Sequence, residues 1–163
     1  MATYEVTEKI LAYDAYIITP SGSEEVLMTI KGKFWSFGPE LKMVEGSDGA
    51  ELANMKGSIF KTMFTITKAD GTEMGLLTFP LIAFRKSFTL TVGGKTYKAA
   101  GGFTGWKFVC TDDAGNMAFS VTKEGFFVRD KFRVEISDVL DKNIALMAAV
   151  AIHQKLFRVK TGA

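Results

Sequence analysis

Ile144-Ala145-Leu146-Met147-Ala148-Ala149-Val150-Ala151-Ile152 is the longest unbroken apolar run in the chain, and the sequence around it reads as helix. From Asp138 to Phe157 there is neither Gly nor Pro, and the strong helix formers Ala, Leu, Met and Lys predominate. Ser137 or Asp138 is placed to cap the first turn. Lys155 and Arg158 stand near the last turn, where the helix dipole favours cations. The expected helix covers about 138–157. A helix on a protein surface shows one apolar stripe and one polar side, but this run is apolar on every face. It is also only about half as long as a membrane span requires. A short helix with no polar face must be buried on all sides.

The rest of the chain supplies what surrounds it. Upstream of the helix most of the sequence alternates with period two, as in Tyr4 and Val6, Ala15 and Ile17, and Met63-Phe64-Thr65-Ile66-Thr67. Turn signals separate these runs: Pro20-Ser21-Gly22, Ser47-Asp48-Gly49, Ala69-Asp70-Gly71, Gly93-Gly94 and Asp113-Ala114-Gly115. Gly in such hairpins supplies the positive φ of primed turns. About a dozen short strands result, spaced as in sandwiches and barrels, the last of them expected over Phe126 to Ile136. Strands can enclose a helix on every side only by closing. The expected fold is therefore mainly β, a closed antiparallel β-barrel of about 12 strands around a hydrophobic C-terminal helix. A faint internal repeat suggests a two-part barrel. Leu41-Lys42-Met43-Val44 with Asp48 and Glu51-Leu52-Ala53 resembles Trp106-Lys107-Phe108-Val109 with Asp113 and Asn116-Met117-Ala118.

Composition narrows the function classes. The 163 residues suit one domain, 1–163. Lys and Arg number 20 against 18 Asp and Glu, without the basic excess of a dedicated nucleic-acid binder. One His and one Cys exclude a zinc finger or a disulfide framework. The N-terminal stretch has no apolar centre and does not read as a secretory signal. No Asn-x-Ser/Thr acceptor occurs. A soluble, cytoplasmic protein with Cys110 reduced is the expectation.

The segment Asp130-Lys131-Phe132-Arg133-Val134-Glu135-Ile136-Ser137-Asp138-Val139-Leu140-Asp141, followed by the apolar helix, resembles the Tubby C-terminal-like superfamily. It is most similar to the branch holding the LURP-one-related proteins of plants and the phospholipid scramblases. Gly101-Gly102-Phe103 ahead of Trp106, and Asp113-Ala114-Gly115, add to the likeness, which covers nearly the whole chain. The resemblance implies a twelve-stranded barrel around a hydrophobic helix. It also implies phosphoinositide head-group binding, as in Tubby domains, or a link to calcium-dependent lipid movement, as in scramblases. The plant relatives have defence associations and no assigned chemistry. Ser137 stands where the scramblases carry Pro, and the sequence shows neither their Pro-rich N-terminal extension nor their Cys cluster.

Several candidate sites follow. Arg85 and Lys86, with Lys31, Lys33 and Lys61, are the candidates for phosphate head groups, against the plainer reading of solvated strand positions. Paired cations at a membrane surface contribute on the order of 1 kcal/mol each. Asp130, Asp138 and Asp141 are weak candidates for calcium, which takes six to eight oxygens. Asp138 and Asp141 equally suit a helix N-terminus, and no cofactor is expected. Trp35 and Phe37 either dip into a membrane interface or close one end of the barrel. His153 reads as packed at the helix end, since no nucleophile or orienting carboxylate accompanies it. Cys110 reads as a small core residue. Val92-Gly93-Gly94-Lys95-Thr96 lies between strands and is a hairpin, not a P-loop. Gly101 to Gly105 precedes a strand where a dinucleotide loop needs a helix. The expected function is a non-enzymatic binding module, peripheral at membranes, that meets anionic phospholipid or phosphoinositide head groups. The alternative is a protein-interaction module with no lipid role.

Overall fold

Asp141 sets the start of the helix. Its carboxylate accepts hydrogen bonds from the backbone N–H groups of Asn143 at 2.8 Å and Ile144 at 3.3 Å, satisfying two donors that the first turn leaves without helical partners. Helix α1 therefore spans Lys142–Ile152 and continues as a π-helical turn over His153–Phe157. The expected start at 138 is corrected by one turn: Asp138 and Val139 form a turn ahead of the helix. Ser137, Asp138 and Asp141 are all competent caps by residue type. The cap at Asp141 starts the helix where the continuous apolar run begins. It leaves Val139 exposed while Leu140 is buried.

The computed structural model describes residues 1–9, 15–32, 38–81, 86–99, 107–124 and 131–157. Ahead of the helix run twelve strands. They are β1 Ala2–Glu8, β2 Tyr16–Pro20, β3 Met28–Gly32, β4 Glu40–Glu45, β5 Glu51–Gly57 and β6 Met63–Lys68. The second half holds β7 Glu73–Thr78, β8 Thr89–Val92, β9 Lys95–Ala99, β10 Lys107–Thr111, β11 Met117–Glu124 and β12 Lys131–Ile136. Each pairs antiparallel with its sequence neighbours, and β1 pairs with β12, closing the barrel. The part of the expected last strand at 126–130 lies outside the described residues.

Closure follows from what the lumen must hold. Eight strands make a barrel that side chains alone can fill, and diameter grows with strand number. Twelve leave room for a helix. Every residue from Ile144 to Ile152 is at most 4% exposed, so α1 is buried on all faces. The helix contributes small side chains at Ala145, Ala148, Ala149 and Ala151, and the strands contribute large ones. Phe64, Phe79, Phe88, Phe108 and Phe119 form a chain of edge-on, tilted and stacked rings with centroids 5.2–6.4 Å apart, within the range of favourable aromatic pairing.

The antiparallel order gives the barrel two unlike ends. At one end even-numbered strands hand over to odd ones through turns, as at Gly93-Gly94, where φ of 56° and 82° requires Gly. At the other end odd strands finish and even ones begin. Because β12 delivers the chain to the turn end, α1 runs through the lumen and its last turn arrives at the opposite, exit end. The internal repeat matches β4–β5 to β10–β11, six strands on, and both hairpins carry a bulge. Their registers differ, however. Met43 faces Ala53, whereas Phe108 faces Val121 and not Ala118.

Candidate functional site

The exit end collects cations. Lys86 precedes β8, Lys98 is the last residue but one of β9, Lys107 opens β10, and Lys61 lies in the β5–β6 connection. The helix terminus joins them there. Lys86 Nζ donates to the Leu156 carbonyl at 3.0 Å, and Lys155 Nζ donates to the Phe60 carbonyl at 3.1 Å. Both bonds place an ammonium on a carbonyl that an ordinary helix end or loop leaves unsatisfied. The described strands carry Glu8, Glu40 and Glu124 near this end, and the Glu40 carboxylate lies 4.0 Å from Lys56.

The turn end is acidic. Asp48, Asp70, Asp112 and Asp113 all lie in its hairpins, because a short carboxylate can accept the N–H groups that a tight turn exposes. The Asp112 carboxylate accepts from the N–H groups of Asn116 at 2.9 Å and Ala114 at 3.0 Å. Hydrogen bonds from Asn116 foremost hold its carboxyl below the ordinary range. Thr72 does the same for Asp70. Asp48 is lowered mainly by Lys31, which both donates to its carboxylate and lies beside it as a positive charge. Lys68 and Lys95 flank two of the turns at this end, and Lys142 opens the helix there. Among the described residues the turn end therefore holds an excess of carboxylates rather than carboxylates alone, while the exit end holds an excess of lysines.

Beside these cations stand apolar side chains that the fold leaves in water. Phe60 is 77% exposed, Ile59 69% and Leu81 83%. Met63 is half-exposed beside them. Ile59 and Phe60 occupy the β5–β6 connection, and Leu81 follows the end of β7, the strand next to β6. Sequence reading missed this group. The available signal was Ser58-Ile59-Phe60-Lys61 itself, an apolar pair in a hairpin connection where polar turn residues are the rule.

The sequence-derived candidates are distributed unevenly over this frame. Lys86 is at the exit end. Lys31 starts near it on β3, but its ammonium reaches Asp48, whose loop folds back over the barrel wall and also brings the Gly46 carbonyl to Thr29 Oγ1 at 2.7 Å. Lys31 and Lys86 lie five strands apart in the barrel order, so no single patch holds both. Lys33, Arg85, Trp35, Phe37 and Gly101 to Gly105 lie outside the described residues, as does Asp130. Asp138 and Asp141 are at the turn end. Asp138 lies 3.5 Å from the Met1 ammonium, and Asp141 is the helix cap.

The side chains with catalytic potential are packed. His153 is 2% exposed. Its Nδ1 lies 3.3 Å from the Tyr16 hydroxyl, and its ring stacks on Phe132 with centroids 4.9 Å apart. Cys110 is fully buried on β10, and burial pushes its thiol up to about 12. At neutral pH it carries almost no thiolate, the reactive form. A groove of about 290 Å3 on the outer wall of β4, β5 and β6 is lined in part by Glu40, Lys42, Glu51 and Lys56. Its charges offset one another, with Lys42 3.4 Å from Glu51 and Lys56 4.0 Å from Glu40. Among the described residues no three His, Cys, Asp or Glu side chains cluster as metal ligands. Nor is any described helix long and apolar enough to cross a membrane.

A family model described as LURP-one-related matches residues 2–153, a span that runs from the first residue of β1 to the start of the π-helical turn. No curated protein matches the chain.

Proposed function

The chain belongs to the LURP-one-related family, and from that premise we propose that it is a non-enzymatic binding module that meets anionic phospholipid or phosphoinositide head groups at a membrane surface. The observation that carries this reading is the axial separation of charge among the described residues, with an excess of lysines, Lys155 of the terminal turn among them, at one end and carboxylate-bearing turns at the other. A negatively charged surface attracts the exit end and repels the turn end, and so orients the barrel as it approaches. The burial of both His153 and Cys110 supports binding over catalysis. Burial of the helix supports a peripheral role, because the apolar run is already occupied by the strands.

The test is sedimentation with vesicles of phosphatidylcholine alone, with added phosphatidylserine, and with added phosphoinositide. Binding is expected to the anionic vesicles at low salt and to weaken as salt shortens the screening length from about 30 Å at 0.01 M to about 8 Å at 0.15 M. Absence of binding to any anionic vesicle at low salt counts decisively against the reading. Recovery of a stoichiometric protein partner by a chain that ignores vesicles favours a protein-interaction module instead.

A further inference from the structure

The β5–β6 connection is a braced apolar projection. Ser58 N–H donates to the Met63 carbonyl at 2.8 Å, and Lys61 N–H donates back to the Ser58 carbonyl at 2.9 Å. Ser58 Oγ accepts from the N–H groups of Thr62 at 3.0 Å and Met63 at 3.2 Å. Phe79 N–H reaches across from beyond β7 to the Thr62 carbonyl at 2.7 Å. Lys155 then fastens the Phe60 carbonyl to the helix terminus at 3.1 Å. The loop even tolerates Lys61 at φ 54°, a left-handed conformation that costs a non-Gly residue energy. All this holds Ile59 and Phe60 away from the barrel, where they are mostly exposed. A hairpin tip that served only to connect two strands would turn such residues inward or do without them.

We propose that Ile59, Phe60 and Leu81 insert into the head-group and acyl boundary of an anionic bilayer, with Lys61, Lys86 and Lys155 on the phosphates around them. This inference rests on the head-group reading above and adds to it a mode of contact: the barrel stands on its exit end. An anionic bilayer is the occupant that matches both parts of the surface. Its acyl boundary takes apolar side chains that water disfavours, and its phosphates attract the lysines beside them. The two parts differ in their response to salt. Attraction between ammonium and phosphate is screened, whereas transfer of an apolar side chain out of water is not. The loop needs no refolding to enter, since its backbone hydrogen bonds are made before contact.

The experiment compares the wild-type chain with Phe60→Ser and Leu81→Ser on phosphatidylcholine vesicles containing phosphatidylserine, at low salt and at 0.5 M salt. Both side chains are largely exposed, so thermal unfolding of the variants is expected to match the wild type and to show that each is folded. Each substitution is expected to lower the partition coefficient about tenfold, and the wild type is expected to keep measurable binding at high salt. Wild-type binding that survives unchanged in both variants overturns insertion and leaves head-group contact standing. Failure of the wild type to bind any anionic vesicle overturns the head-group reading, and insertion with it.

Discussion

Ala148 shows most simply what the fold demands of single residues. It is fully buried at the centre of α1, where a larger or charged side chain has no exit to water. Ala148→Asp introduces a charge without a partner, at a cost of about 4 kcal/mol or more, a large share of the stability of a domain this size. Calorimetry is expected to show no cooperative unfolding transition for this variant. A transition at the wild-type temperature would remove the basis for a buried helix. The same scale shows where sequence reading succeeds and where it stops. His153 was legible as packed because no nucleophile or orienting carboxylate could be named for it, and Cys110 because it stands in an apolar strand between Val109 and Thr111. Lys31 was not legible, since its position near the end of β3 says nothing of a loop that returns to meet it. Ile59 and Phe60 were missed because alternation places apolar residues inside strands, and it is silent on those between strands.

The helix is the element on which the whole inference turns. All-round apolarity of Ile144 to Ile152 was enough to require complete enclosure, and it did so without any strand being located to the residue. The helix start was legible only to within a turn, because Ser137, Asp138 and Asp141 are equally able caps by residue type. Which of them is used depends on how β12 hands the chain into the lumen, a tertiary matter. Asp141→Ala is expected to lower stability by about 1 kcal/mol, read as a reduced midpoint in urea with an unchanged slope. An equal effect from Asp138→Ala, with none from Asp141→Ala, would contradict the observed cap. The far end of the helix is held differently. Lys86 and Lys155 bridge the π-helical turn and the adjoining loops through carbonyls, so the element that fills the lumen also braces the exit end.

At the scale of the molecule, the consequence of twelve antiparallel strands is that chain direction sorts residues into two ends. The strand count and turn positions were readable from Gly and Asp spacing. The axial polarity of charge was not, since it exists only once the order of the strands is known. A near-neutral total charge therefore conceals a molecule with unlike ends, and a test of overall basicity overlooks it. The internal repeat illustrates the opposite risk, because matched residue types in β4–β5 and β10–β11 do not share a register.

The central claim, that the exit end and not the turn end faces an anionic membrane, can be measured on one molecule at two positions. The lone native cysteine is fully buried with its thiol raised to about 12, so it is spared by thiol labelling of the folded chain. An environment-sensitive dye attached after Met63→Cys reports the exit end, and one attached after Ala114→Cys reports the turn end. On vesicles containing phosphatidylserine, the dye at position 63 is expected to shift to the blue while that at 114 stays as in water. A shift at 114 with none at 63 would contradict the account directly.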